Sequence, residues 1–99
     1  MIRGTTPTHT FEIPFDTSMI KKVMIIYAQN DVEVFHKDTK DCEMNKREIR
    51  VTLSQRDTLR LCHRYNVQIQ LRVLTTDGSA FTSDVKVLSV QKCLNDEVL

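Results

Sequence analysis

The chain has 99 residues, 40% hydrophobic and 27% charged, with a formal charge of +1 from fourteen Lys and Arg against thirteen Asp and Glu. That length supports one domain with one core, and the composition excludes a disordered or low-complexity chain. Near-neutrality argues against a domain built mainly to grip nucleic acid, and the longest apolar run, residues 23–28, is far too short to span a bilayer.

In chain order, Thr8–Phe15 reads as a first strand, with Phe11, Ile13 and Phe15 on one side and Thr10, Glu12 and Pro14 on the other. Pro14 has no N–H to give to a ladder, which confines this strand to a sheet edge or a strand end. Met19–Ala28 is a second strand. Val23, Ile25 and Tyr27 face one way and Met24 and Ile26 the other, which predicts a central strand covered on both faces. Gln29-Asn30-Asp31 is turn chemistry: with only two glycines, the chain must use Asn and Asp for its tight turns. Asp31–Lys37 returns as a third strand through Val32 and Val34, with Phe35 on its opposite face.

Residues 38–47 form a polar loop in which Cys42–Met44 is able to pair as a short edge strand. Glu48–Leu53 follows, with Ile49, Val51 and Leu53 inward and Arg50 and Thr52 outward. Ser54-Gln55-Arg56-Asp57 is a capping box that predicts one to two helical turns over about residues 55–62. So short a helix does not stand alone in water and must dock Leu59 against a sheet. Next come Val67, Ile69, Leu71 and Val73, alternating with Gln68, Gln70 and Arg72. An Asp77-Gly78 turn leads into a second β-rich run containing Val85, Val87 and Val90. Alternation around Asp-Gly is a strong hairpin signal. Residues 91–99 form a mixed tail. Six to seven short strands with one helical turn before the penultimate one predict an all-β, immunoglobulin-like antiparallel sandwich as a single domain. A small open barrel is the structural alternative.

The residues that carry chemistry are scattered. His9, His36 and His63 with Cys42, Cys62 and Cys93 show no paired spacing of metal ligands, and solvated or satisfied side chains are the plainer reading. The adjacent Cys62 and His63 are the one pair to weigh for nucleophilic catalysis, and nothing around them resembles a positioned base. Gly4 and Gly78 are too few for a phosphate-cradling loop. No catalytic, cofactor-binding or metal-binding residue is therefore expected, and no small-molecule substrate is evident. Three cysteines leave one odd, which suits free thiols in a reducing compartment. The opening MIRGTTPTHTFEIPF lacks the apolar segment of a secretory signal, so synthesis in a cytoplasm is expected.

Two surfaces are candidates for binding. If residues 55–64 are helical, Arg56, Arg60 and either His63 or Arg64 fall one above another, near Lys46 and Arg47. Such a stripe suits phosphate or an acidic partner. A solvated helix face relieved by Asp57 is the plainer reading, and binding to an arbitrary duplex should vanish at physiological salt. The second surface is the outward stripe Gln68, Gln70 and Arg72, expected to share a sheet face with Arg50 and Thr52. Carbohydrate recognition is disfavoured there: the chain has no Trp, and of its two tyrosines Tyr27 is expected inside.

The segments MIRGTTPTHTFEIPFDTSMIKKVMIIYAQN, VTLSQRDTL and VQIQLRVLTTDGSAFTSDVKVLSV, with the ending CLNDEVL, resemble short proteins of phages and prophages of Gram-positive bacteria. More loosely, they are similar to the immunoglobulin-like N-terminal modules of phage baseplate proteins. The resemblance covers nearly the whole chain and is weakest over residues 36–47. It implies a virion-associated or assembly-related β-sandwich, made in the host cytoplasm and incorporated in the particle. It transfers no catalytic residue. The implied partners are other phage structural proteins and the chain itself, not a membrane. Ile2, Leu94, Val98 and Leu99 are the candidate contacts at the termini, with local packing of the termini onto the sandwich as a reading of equal weight. The alternative function is a free module that acts on nucleic acid or a host protein through Arg56, Arg60 and Arg64.

Overall fold

Eight strands and one short helix make up the computed structural model, which describes residues 1–99. Strand β1 is Thr8–Glu12, and a 3₁₀ turn at Thr17–Met19 leads into β2, Ile20–Gln29. β3 is Val32–Asp38; a second 3₁₀ turn, Thr39–Asp41, precedes β4, Cys42–Asn45, and β5 is Glu48–Thr52. Helix α1, Gln55–Leu59, precedes the long β6, Val67–Thr75. The chain closes with β7, Ala80–Thr82, and β8, Lys86–Leu88.

The strands form two antiparallel sheets, a small one ordered β1-β5-β4 and a large one ordered β3-β2-β6-β7, with β8 also on β6. β7 and β8 are two halves of one interrupted strand, since Phe81 pairs with Val73 and Val87 with Gln68 along the same β6 edge. Ser83 holds the interruption: its N–H donates to the Leu71 carbonyl, and its Oγ accepts the Leu71 N–H at 2.9 Å. The order β1-β5-β4 facing β3-β2-β6-β7 matches strands B-E-D facing C′-C-F-G of an immunoglobulin-like sandwich that lacks the A strand.

The core lies between the sheets. Ile49, Val51 and Leu53 come from the small side; Val23, Ile25, Tyr27, Val67, Ile69, Leu71 and Val73 come from the large side. Each such side chain contributes roughly 1.5–3 kcal/mol by leaving water. The alternation of β6 thus sorts its residues as expected, Val67, Ile69, Leu71 and Val73 inward and Gln68, Gln70 and Arg72 outward. β1 lies at an edge of its sheet, but it stops at Glu12 rather than reaching Phe15, so Pro14 falls past the strand end and does not set its place in the sheet. β4 forms at the other edge, where Cys42–Met44 was open to pairing. The β2–β3 turn places Asn30 at φ 53° and Asp31 at φ 62°, the two left-handed residues of a tight hairpin turn without glycine.

Four local expectations need correction. β2 is central because β3 and β6 flank it, but its outer face, with Met24 and Ile26, is not covered by another layer. On β3 the inward residue is Phe35, which stacks on Tyr27 at 4.8 Å, while Val32 is 66% exposed. A bulge between Tyr27 and Ala28 puts Glu33 opposite Ala28 and Phe35 opposite Tyr27, which slips the alternation by one residue. Helix α1 stops at Leu59, so the residues it buries are Thr58 and the following Leu61, and Leu59 is only half-buried. In the last run only Val90 reaches the core; Val85 and Val87 are 48% and 56% exposed.

Candidate interaction surface

Gln68, Gln70 and Arg72 stand on the outer face of the large sheet. Arg50 and Thr52 do not share it. They project from β5 in the small sheet and so point away on the opposite side of the sandwich. There Arg50 reaches Glu48 at 3.3 Å, and the Thr52 hydroxyl meets that of Thr8 at 2.8 Å.

The basic stripe does not form. Its alignment needs a helix through residue 64, but α1 spans five residues and its C-cap is Arg60. Arg60 donates from Nη2 to the Val34 carbonyl at 2.8 Å and lays its guanidinium 5.4 Å from the Phe35 ring centre. It thereby covers a carbonyl on the β3 edge strand. Arg56 and Arg64 are exposed and unaligned. Lys46 and Arg47 sit at the far end of β5 from α1, roughly 20 Å or more away at strand rise. Asp57, expected to relieve the arginines, pairs instead with Lys37 at 2.7 Å and caps its own helix through Ser54. Burial pushes its carboxyl up, but the Lys37 and Ser54 hydrogen bonds prevail and hold its pKa below the ordinary aspartate value.

The tail folds back toward α1. Leu99 N–H donates to Gln55 Oε1 at 2.7 Å, and Asp96 pairs with Arg3 at 2.9 Å. Arg3 also donates to the Leu59 and Leu61 carbonyls, tying the N-terminal segment to the end of α1. Leu94, Val98, Leu99 and Ile2 leave their side chains exposed, Leu94 at 94%.

On this outer face the sequence picked out the polar stripe but missed the apolar residues beside it. Across β2 and β6 the rows are Lys22–Leu74, Met24–Arg72, Ile26–Gln70 and Ala28–Gln68. β3 extends three of them with Asp38, His36 and Glu33, and β7 and β8 add Ala80, Thr82 and Val87. Met24, Ile26, Ala28 and Leu74 are half-buried, so an apolar band crosses a polar face. Two shallow grooves mark its ends. One, of about 230 Å³, is lined on this face by Lys22, Met24, Arg72, Leu74, Ala80 and Thr82. The other, of about 250 Å³, is lined by Ile26, Ala28, Asp31, Glu33, Gln68, Gln70 and Val85. The first is basic and the second acidic. Asp31 is held over the sheet by Gln68, which donates to its Oδ1 at 2.8 Å and accepts its N–H at 2.9 Å. The available signal was β2 itself, apolar on both faces beside a β6 polar on one.

No three His, Cys, Asp or Glu side chains gather as a metal-ligating cluster. Cys42, Cys62 and Cys93 are free thiols, and burial, with Asp41 and Asp38 nearby, pushes Cys42 up to about 11. No helix is long and apolar enough to cross a membrane.

Neither a family model nor a curated protein matches the chain. Among solved structures it is similar to the V domain of amphioxus IgVJ-C2, at 14% identity and a TM-score of 0.38, over 91% of this chain and 96% of that one. The immunoglobulin-like assignment stands on strand order, not on that likeness.

Proposed function

We propose that the chain is a non-enzymatic protein-docking module, a structural or accessory component of a phage particle, which works through the outer face of its large sheet. The observation that carries the docking reading is the apolar band of Met24, Ile26 and Leu74, continued by exposed Val85 and Val87 and rimmed by charge. An apolar centre with a polar, charged rim is the anatomy of a contact surface between proteins. The phage setting rests on the resemblance of the opening, middle and closing segments. In that setting the chain is made in the bacterial cytoplasm and built into the particle beside other phage proteins. The nucleic-acid alternative is weakened because Arg60 is spent on Val34 and Phe35.

The test is mass spectrometry of purified particles with a photoreactive side chain placed at Val87 or, separately, at Arg50. The expected result is a fixed stoichiometry and cross-links to a neighbouring protein from position 87 but not from position 50. Absence from particles despite strong expression overturns the phage setting. Cross-links from position 50 alone overturn the assignment of the face.

A further inference from the structure

The geometry points to a second copy of this chain as an occupant of that face, paired through one two-fold axis that sets the acidic groove of each copy on the basic groove of the other. This rests on the docking reading and names its partner. The two grooves lie on the same face at opposite ends of the strands: Asp31 and Glu33 flank the Ala28–Gln68 row, while Lys22 and Arg72 flank the Met24 end. From Lys22 to Ala28 is roughly 20 Å at strand rise. A two-fold axis in the plane of the interface, perpendicular to β2 and between the Met24 and Ile26 rows, exchanges those ends. It brings Glu33 and Asp31 toward Lys22 and Arg72 of the second copy, twice by symmetry. The apolar rows of Met24 and Ile26 then face each other at the centre.

The remaining charges on the face agree with this operation. Asp38, beside Met24, falls toward His36 of the second copy, beside Ile26. His36 carries a raised pKa because Glu33 hydrogen-bonds it, with Asp38 and Asp41 adding to the effect. An axis parallel to the strands leaves acidic end on acidic end and basic on basic, so charge selects the perpendicular one. A face four strands wide and seven residues long spans roughly 19 by 23 Å, the small end of specific interfaces, so reversible pairing is expected.

The test is sedimentation of the purified chain from about 10 µM to about 1 mM, the range suited to a small transient interface. The expected result is a monomer–dimer equilibrium. Lys22→Glu and Glu33→Lys should each weaken it by about tenfold or more, since the axis sets Lys22 of one copy over Ala28 of the other, beside Glu33, and like charges then meet twice. Glu43→Lys, on the small sheet, should leave it unchanged. Mixing the two face variants should restore pairing as a heterodimer, because one of its two contacts is reversed and the other native. Circular dichroism checks that each variant folds. A chain monomeric at about 1 mM, or a mixture no better associated than its components, overturns self-pairing. Neither result touches the docking reading, which stands or falls on the particle cross-links from position 87.

Discussion

His9 on β1 and Tyr27 on β2 are joined by a 2.7 Å hydrogen bond between the imidazole Nδ1 and the phenol oxygen, tying the small sheet to the large one inside the sandwich. Tyr27 is fully buried and stacked on Phe35, so its hydroxyl needs a partner there, and His9 supplies it. Burial first, then the N-terminal ammonium and Lys86, hold the His9 pKa below its ordinary 6.5. Burial likewise pushes the Tyr27 hydroxyl up, with Cys42 and Asp57 adding to it. Both groups therefore stay neutral at neutral pH.

The first prediction is a loss of stability on mild acidification. Below about pH 6.5 the unfolded chain protonates His9 more readily than the folded one, so unfolding takes up a proton. The contribution is complete above that pH and is lost as pH falls through the lowered folded value. His36 works in the opposite sense: its raised pKa gives stability below 6.5 that disappears as pH rises. Urea midpoints measured from pH 8 to pH 5, in a His36→Gln background, isolate His9 (about 6.5 being the pivot). The idea fails if His9→Gln leaves the slope of midpoint against pH unchanged.

Arg60 gives a second prediction. Arg60→Ala uncovers the Val34 carbonyl and removes the cation from the Phe35 ring, and should cost about 1–2 kcal/mol. Arg56→Ala and Arg64→Ala, both exposed, should stay within about 0.5 kcal/mol of the parent. Equal costs at all three positions, read from chemical denaturation, would show that Arg60 has no special place.

The contrast among these arginines shows what a sequence discloses here and what it hides. Strict alternation on β6, the Asn30-Asp31 turn and the Ser54 box are local signals, and each was legible because its cause lies within a few residues. Phe35 was misplaced because the bulge that reverses its face arises in pairing with a different strand. The stripe failed because helix length is set by where Leu61 finds the core, beyond the reach of a capping signal. The apolar half of the outer face was hidden for a related reason. Whether Met24 and Ile26 meet another layer depends on architecture, and here no layer covers them.

Removing the cap of α1 makes a third prediction. Ser54 Oγ accepts the Asp57 N–H at 3.0 Å, and the Asp57 carboxylate accepts the Ser54 N–H at 2.9 Å. Ser54→Ala should cost about 1 kcal/mol, whereas Ser54→Asp should retain most of the stability. Thermal melts of the two variants distinguish a capping role from a packing one: an equal drop for both would assign the loss to packing.

Lys46 carries the last prediction. It occupies φ 54° in the turn between β4 and β5, a conformation that costs a side-chain-bearing residue roughly 1 kcal/mol and glycine almost nothing. The turn is fixed from outside, since the Lys46 carbonyl accepts the Thr17 N–H and the Arg47 carbonyl accepts that of Ile13. The backbone therefore has no easy relaxation, and the strain must sit in the residue. Lys46→Gly should raise stability by about 0.5–1 kcal/mol, after the greater freedom of glycine in the unfolded chain is subtracted. Lys46→Val, β-branched in the same conformation, should lower it by more than that gain. If urea midpoints put glycine below lysine, the ammonium group must contribute more to this turn than its exposed position suggests.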